Sequence, residues 1–103
     1  VTWEQAEVEW VGAVVLVGLT YLNGDLALDR QEQFYGQVES VDRNSGIRLN
    51  LSGRRGGETY DLPPHLEAFE PAPRGQYRLR STGDVVTDPD LICSWTISPP
   101  ASA

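Results

Sequence analysis

The sequence predicts an all-β domain, a small and strongly bent barrel with a short N-terminal helix or extension before it and an added C-terminal β-hairpin after it. Three observations carry that expectation. Short stretches alternate apolar with polar residues, as Ile47, Leu49 and Leu51 do with Arg48, Asn50 and Ser52. Clusters of Gly, Asn, Asp and Pro separate these stretches at short spacing, which is the punctuation of small barrels and sandwiches. The chain has 103 residues, enough for one hydrophobic core and too few for two. A single domain over residues 1–103 follows, with a barrel core at 11–72, a hairpin extension at 73–98 and a disordered tail at 99–103.

Each element has its own reason. Thr2 followed three residues later by Gln5 is a capping-box spacing, so "WEQAEVEW" is expected to start a short helix with Trp3 and Trp10 on one face. From Val11 to Leu22 both parities are apolar, with Val15, Val17 and Leu19 on one side and Val14 and Leu16 on the other. The β-branched bias favours a strand buried on both faces. "NG" at 23 and 24 is a turn, and "DLALDRQEQF" leads into "GQVESVDRNSGIRLNL", read as strand, turn and strand. "SGRRGG" is a second turn and "ETYDLP" a short strand that Pro63 and Pro64 stop, because proline cannot donate to a ladder. "HLEAFEPAP" is a brief strand or 3₁₀ turn, "GQYRLRSTG" alternates again, and "LICSWTI" places Leu91, Cys93, Trp95 and Ile97 on one face.

Charge narrows the partners. Fifteen acidic residues face eight arginines and no lysine, giving a net charge of −7, so the mean field repels nucleic acid and anionic membrane. Cys93 is the only cysteine, which excludes an internal disulfide and a cysteine zinc cage and suits a reducing compartment. The longest apolar run, "VGAVVLVGLTYL", falls well short of the roughly 20 residues of a membrane-spanning helix. The acidic "VTWEQAEVEW" ahead of it lacks the positive start of a secretory signal. A cytoplasmic location is expected.

Within "GQVESVD", Gly36, Val38, Val41 and Asp42 have the spacing Gly, any, apolar, two variable residues, apolar, Asp. This resembles the first motif of the Sm-like proteins, particularly the bacterial host-factor RNA chaperones, and the chain as a whole looks like a small bacterial protein. The resemblance covers residues 11–72 and implies an Sm-like, SH3-like barrel with "GAVVLVGLTYL" as first strand, "ETYDLP" as fourth and "LEAFEPA" as short fifth. Its RNA-binding residues transfer poorly. Tyr60 matches an aromatic position, but the basic position falls on Asp61, and Leu62, Pro63 and Pro64 separate it from His65.

The candidate sites are correspondingly plain. Asp84, Asp88 and Asp90 form the tightest acidic cluster. Their spacing does not fit the helical calcium loop, so they are read as turn residues and as candidate protein contacts. His65 has no local nucleophile beside it. "SGRRGG" lacks the lysine and helix start of a phosphate loop. No catalytic residue, metal or cofactor is expected. The expected function is a non-enzymatic protein-interaction module with an acidic surface, of the kind an immunity protein or antitoxin needs, whose partner is a basic protein; self-association is compatible with it. The alternative is an Sm-like RNA-binding protein using Tyr60, Arg43, Arg48, Arg54 and Arg55.

Overall fold

Local chemistry starts the chain as the sequence predicts. In the computed structural model, which describes residues 1–98, Thr2 Oγ1 accepts a hydrogen bond from the Gln5 amide at 3.1 Å and Gln5 Oε1 accepts one from the Thr2 amide at 2.9 Å. This box caps α1 (Trp3–Glu9), whose inward side buries Ala6 and delivers Trp10 against Phe69, ring centroids 5.0 Å apart. The expected disordered tail at 99–103 lies outside the described residues.

Eight strands follow: β1 (Val14–Leu22), β2 (Leu28–Asp42), β3 (Gly46–Leu51), β4 (Thr59–Leu62), β5 (Glu70–Pro71), β6 (Gln76–Arg78), β7 (Val85–Thr87) and β8 (Leu91–Ile97). The first four form an antiparallel meander, and the sheet order is β4-β3-β2-β1-β8-β5. β8 runs parallel to β1, and β5 pairs with β8 only through Glu70–Ile92 and Pro71–Leu91. β6 and β7 make a separate two-stranded pair.

β1 is apolar on both faces because both are covered. Val15, Val17 and Leu19 join the main core with Phe34, Ile47 and Leu49, whereas Leu16 packs with Leu79, just after β6, and Val86 of β7 in a second, smaller core. The hairpin therefore roofs the outer side of β1, while α1 and the turn before β5 pack on the inner side.

The "GQVESVD" spacing has a physical explanation in the ladder. Residues three apart in a strand point to opposite faces, yet Val38 and Val41 are both buried in the main core. The register steps from Val38–Leu49 to Ser40–Arg48 and leaves Glu39 as a bulged residue, which restores Val41 to the inner face. Gly36 sits where a Cβ would fall on the backbone of Asn50 and within 2.9 Å of Leu51 Cα, so the close approach of β2 and β3 requires glycine. Asp42 then accepts the Asn44 and Ser45 amides at 2.7 and 3.0 Å and shapes the turn.

The expected closed barrel is not formed: the sheet is open, ending at β4 and at β5. Two features of the chain accompany this. Pro63 and Pro64 follow β4 directly, and β8, the final segment, enters between β1 and the short β5 and is paired on its outer side only as far as Ile92.

Candidate interaction surface

Where the sheet stops determines which backbone groups are free. The amides and carbonyls of a strand alternate in direction. The Ala72 amide bonds the Asp90 carbonyl, and Glu70 pairs with Ile92, so the even-numbered residues of β8 turn away from β1. Beyond Ile92 these are Ser94 and Thr96, which have no backbone partner among the described residues. By the same alternation, Thr59 and Asp61 are the outward residues of β4, since the Leu51 amide bonds the Glu58 carbonyl.

Hollows flank the β8 edge on both faces. On the inner side, Tyr60, Leu62 and Pro63 of the β4 end face Trp95 and Ile97 across a cavity of about 180 Å³. On the outer side, a cleft of about 550 Å³ runs between Ile92, Ser94 and Tyr77 and is bordered by Glu67 and Glu70. The Glu67 carboxylate meets only His65, at 3.2 Å, and Glu70 has no ion pair among the described residues.

β8 itself carries no charge and no proline. Natural edge strands are usually blunted by one or the other. The β4 edge carries such a charge, the outward Asp61, which Arg48 grips through two bonds of 2.8 and 3.3 Å.

Of the residues that the RNA-binding alternative would use, three arginines are paired with carboxylates. Arg43 pairs with Glu4 at 3.3 Å, Arg48 with Asp61, and Arg55 with Glu58 at 3.1 Å. The hydrogen bonds from Arg48 and Arg55 hold the Asp61 and Glu58 carboxyls below their usual values. Of the five residues, Arg54 alone offers a guanidinium without an ion pair among the described residues. Tyr60 turns inward against Phe34, centroids 4.9 Å apart, and its hydroxyl pKa is raised by burial and then by neighbouring Tyr21 and Glu32.

Asp84, Asp88 and Asp90 each tie two segments together. Asp84 accepts the Arg54 amide at 3.0 Å, Asp88 the Gly75 amide at 2.8 Å and Asp90 the Val14 amide at 2.8 Å. Asp90 thereby fixes the start of β1 beside the start of β8. Among the described residues, no group of three His, Cys, Asp or Glu side chains is placed to hold a metal, and no helix is long and apolar enough to cross a membrane. Cys93 is buried, with its thiol pushed up to about 12 by desolvation.

The free β8 edge is the surface that sequence reasoning missed. Its one signal was the uncharged run "LICSWTI" with hydroxyl residues on the polar side, which equally suits an internal strand. Compared with known proteins, the chain matches no family model, no curated protein and no solved structure.

Proposed function

We propose that this domain is a non-enzymatic protein-interaction module whose acidic surface meets a basic protein partner. The observation that carries the reading is the distribution of charge. Four of the eight arginines, Arg30, Arg43, Arg48 and Arg55, are engaged by carboxylates. Glu7, Glu9, Asp25, Asp29, Glu39 and Glu70 have no ion pair among the described residues. The excess negative charge is therefore displayed while much of the positive charge is spent internally, an arrangement that steers a basic protein and rejects a polyanion. An immunity protein or antitoxin is a concrete form of such a module, and a cytoplasmic setting belongs to the same proposal.

The resemblance of residues 11–72 to Sm-like barrels is supported by the bulge, glycine and Asx turn of the Gly36–Asp42 segment. The RNA-binding function is less supported, because three of its four arginines are held by carboxylates. Zero-length cross-linking of carboxylates to lysine in native cells, followed by mass spectrometry, tests the reading. The expected result is one recurrent basic protein whose affinity for the purified domain falls as salt rises. Tight, steeply salt-dependent binding of uridine-rich or adenine-rich oligonucleotides by fluorescence anisotropy would replace it with the RNA reading.

A further inference from the structure

We infer that the free edge of β8 takes up an extended peptide segment of a partner protein as an added strand, with an aliphatic side chain in the inner cavity and a basic side chain in the outer cleft. This rests on the protein-interaction reading and specifies its ligand. Ser94 and Thr96 present outward amide and carbonyl groups about 6.6–6.8 Å apart along the strand, the repeat of a β-ladder. A ligand that satisfies both must offer donors and acceptors at that repeat, which an extended backbone does. The edge lacks the charge or proline that discourages such pairing. It also begins where β5, which shares the same side of β8, stops at Ile92.

The two hollows define the side chains. Leu19, Leu62, Trp95 and Ile97 give the inner cavity a mainly apolar lining, and Asp61, which also borders it, has its carboxylate bonded by Arg48. Glu67 and Glu70 make the outer cleft acidic, and Tyr77 and Ile92 supply apolar wall for the stem of a long basic side chain. Successive side chains of a strand point to opposite faces, so the aliphatic and basic residues of the peptide stand an odd number of positions apart. A second copy docking by this edge would bring Glu67 and Glu70 of both copies together and supply no basic residue. With a net charge of −7, the complement is a cationic peptide from another protein.

The test is selection of a phage-displayed library of random linear peptides on the full chain. Enriched sequences are expected to carry an aliphatic residue and an Arg or Lys at odd separation. A synthetic representative is expected to lose about tenfold or more in affinity with Thr96→Pro, which removes an outward amide that β-augmentation requires. Glu70→Arg is expected to weaken it to a similar degree at an exposed position that leaves the core alone. Glu7→Arg, which alters an equally exposed acid on α1, is expected to have no such effect.

Enriched peptides without this pattern would overturn the inference, as would binding indifferent to both edge variants. A concentration-dependent dimer abolished by Thr96→Pro and not displaced by the peptide would assign the edge to a second copy instead. If a basic partner found by cross-linking binds the edge variants with unchanged affinity, the strand-addition inference fails while the interaction-module reading stands.

Discussion

Deleting one residue from the middle of a strand normally turns everything beyond it inside out, but at Glu39 the reverse is expected. Glu39 is the bulged residue of β2, opposite no residue of β3. Without it, Val38, Ser40 and Val41 alternate in, out and in, and the pairs Val38–Leu49, Ser40–Arg48 and Val41–Ile47 persist in a regular ladder. The cost should be about 1 kcal/mol or less, that of losing an exposed side chain without an ion pair.

Deleting Gln37, two positions away and equally exposed, has the opposite consequence. The three residues left between Gly36 and Val41 then alternate so that Glu39 occupies the inner position and Val38 the outer one. Losing the burial of Val38, now 2% exposed, removes about 1.5–3 kcal/mol. Placing an unpaired carboxylate in the core adds about 3 kcal/mol or more. Their sum, about 5 kcal/mol, reaches the lower end of a whole domain's stability. Urea unfolding followed by circular dichroism separates the two deletions: the Glu39 deletion should melt cooperatively near the parent midpoint, and the Gln37 deletion should be largely unfolded without denaturant. Equal damage from both, or tolerance of both, would refute the bulge as the reason for the Gly36–Asp42 spacing.

Leu49→Ala removes a fully buried side chain of the main core and should cost about 2–5 kcal/mol, read as a lower urea midpoint with an unchanged slope. Cys93 should resist a thiol reagent at mildly alkaline pH until the fold opens, because burial pushes its thiol up to about 12; rapid labelling of native protein would contradict this. Asp42 is held below its ordinary value of 3.8 chiefly by the Ser45 and Asn44 amides. Its contribution is therefore complete above the unfolded value and is lost as pH falls through the lower folded value. Thermal melting below about pH 4 should be less steeply pH-dependent in Asp42→Ala than in the parent. Gly36→Ala should destabilise by about 1–3 kcal/mol through overpacking against the Asn50 and Leu51 backbone, measured in the same urea assay.

What the sequence disclosed was the local part of the fold. The Thr2–Gln5 box, the Asp42 turn and the alternation of Ile47, Leu49 and Leu51 are set by residues a few positions apart. The two-sided apolarity of β1 was legible for the same reason, although not what covers each side. The parallel pairing of β8 with β1 was not, because it joins residues 76 positions apart, as the Asp90–Val14 bond does, and "LICSWTI" would read alike in a parallel, antiparallel, edge or central strand. The partner of Arg55, Glu58, lies three residues on and was legible, but that of Arg43, Glu4, thirty-nine residues away, was not. Asp84, Asp88 and Asp90 were legible as turn residues, but not the distant amides each accepts, from Arg54, Gly75 and Val14.

The proposed peptide ligand depends on the open edge of β8, and backbone amide hydrogen exchange of the free protein by NMR tests that edge most directly. Even and odd residues of this strand should differ: Cys93 and Trp95, turned to β1, should exchange slowly, and Ser94 and Thr96, turned outward, should exchange close to the rate of unstructured amides. Uniform slow exchange from Cys93 to Thr96 would show that the edge is already paired, and the account of this surface would be wrong.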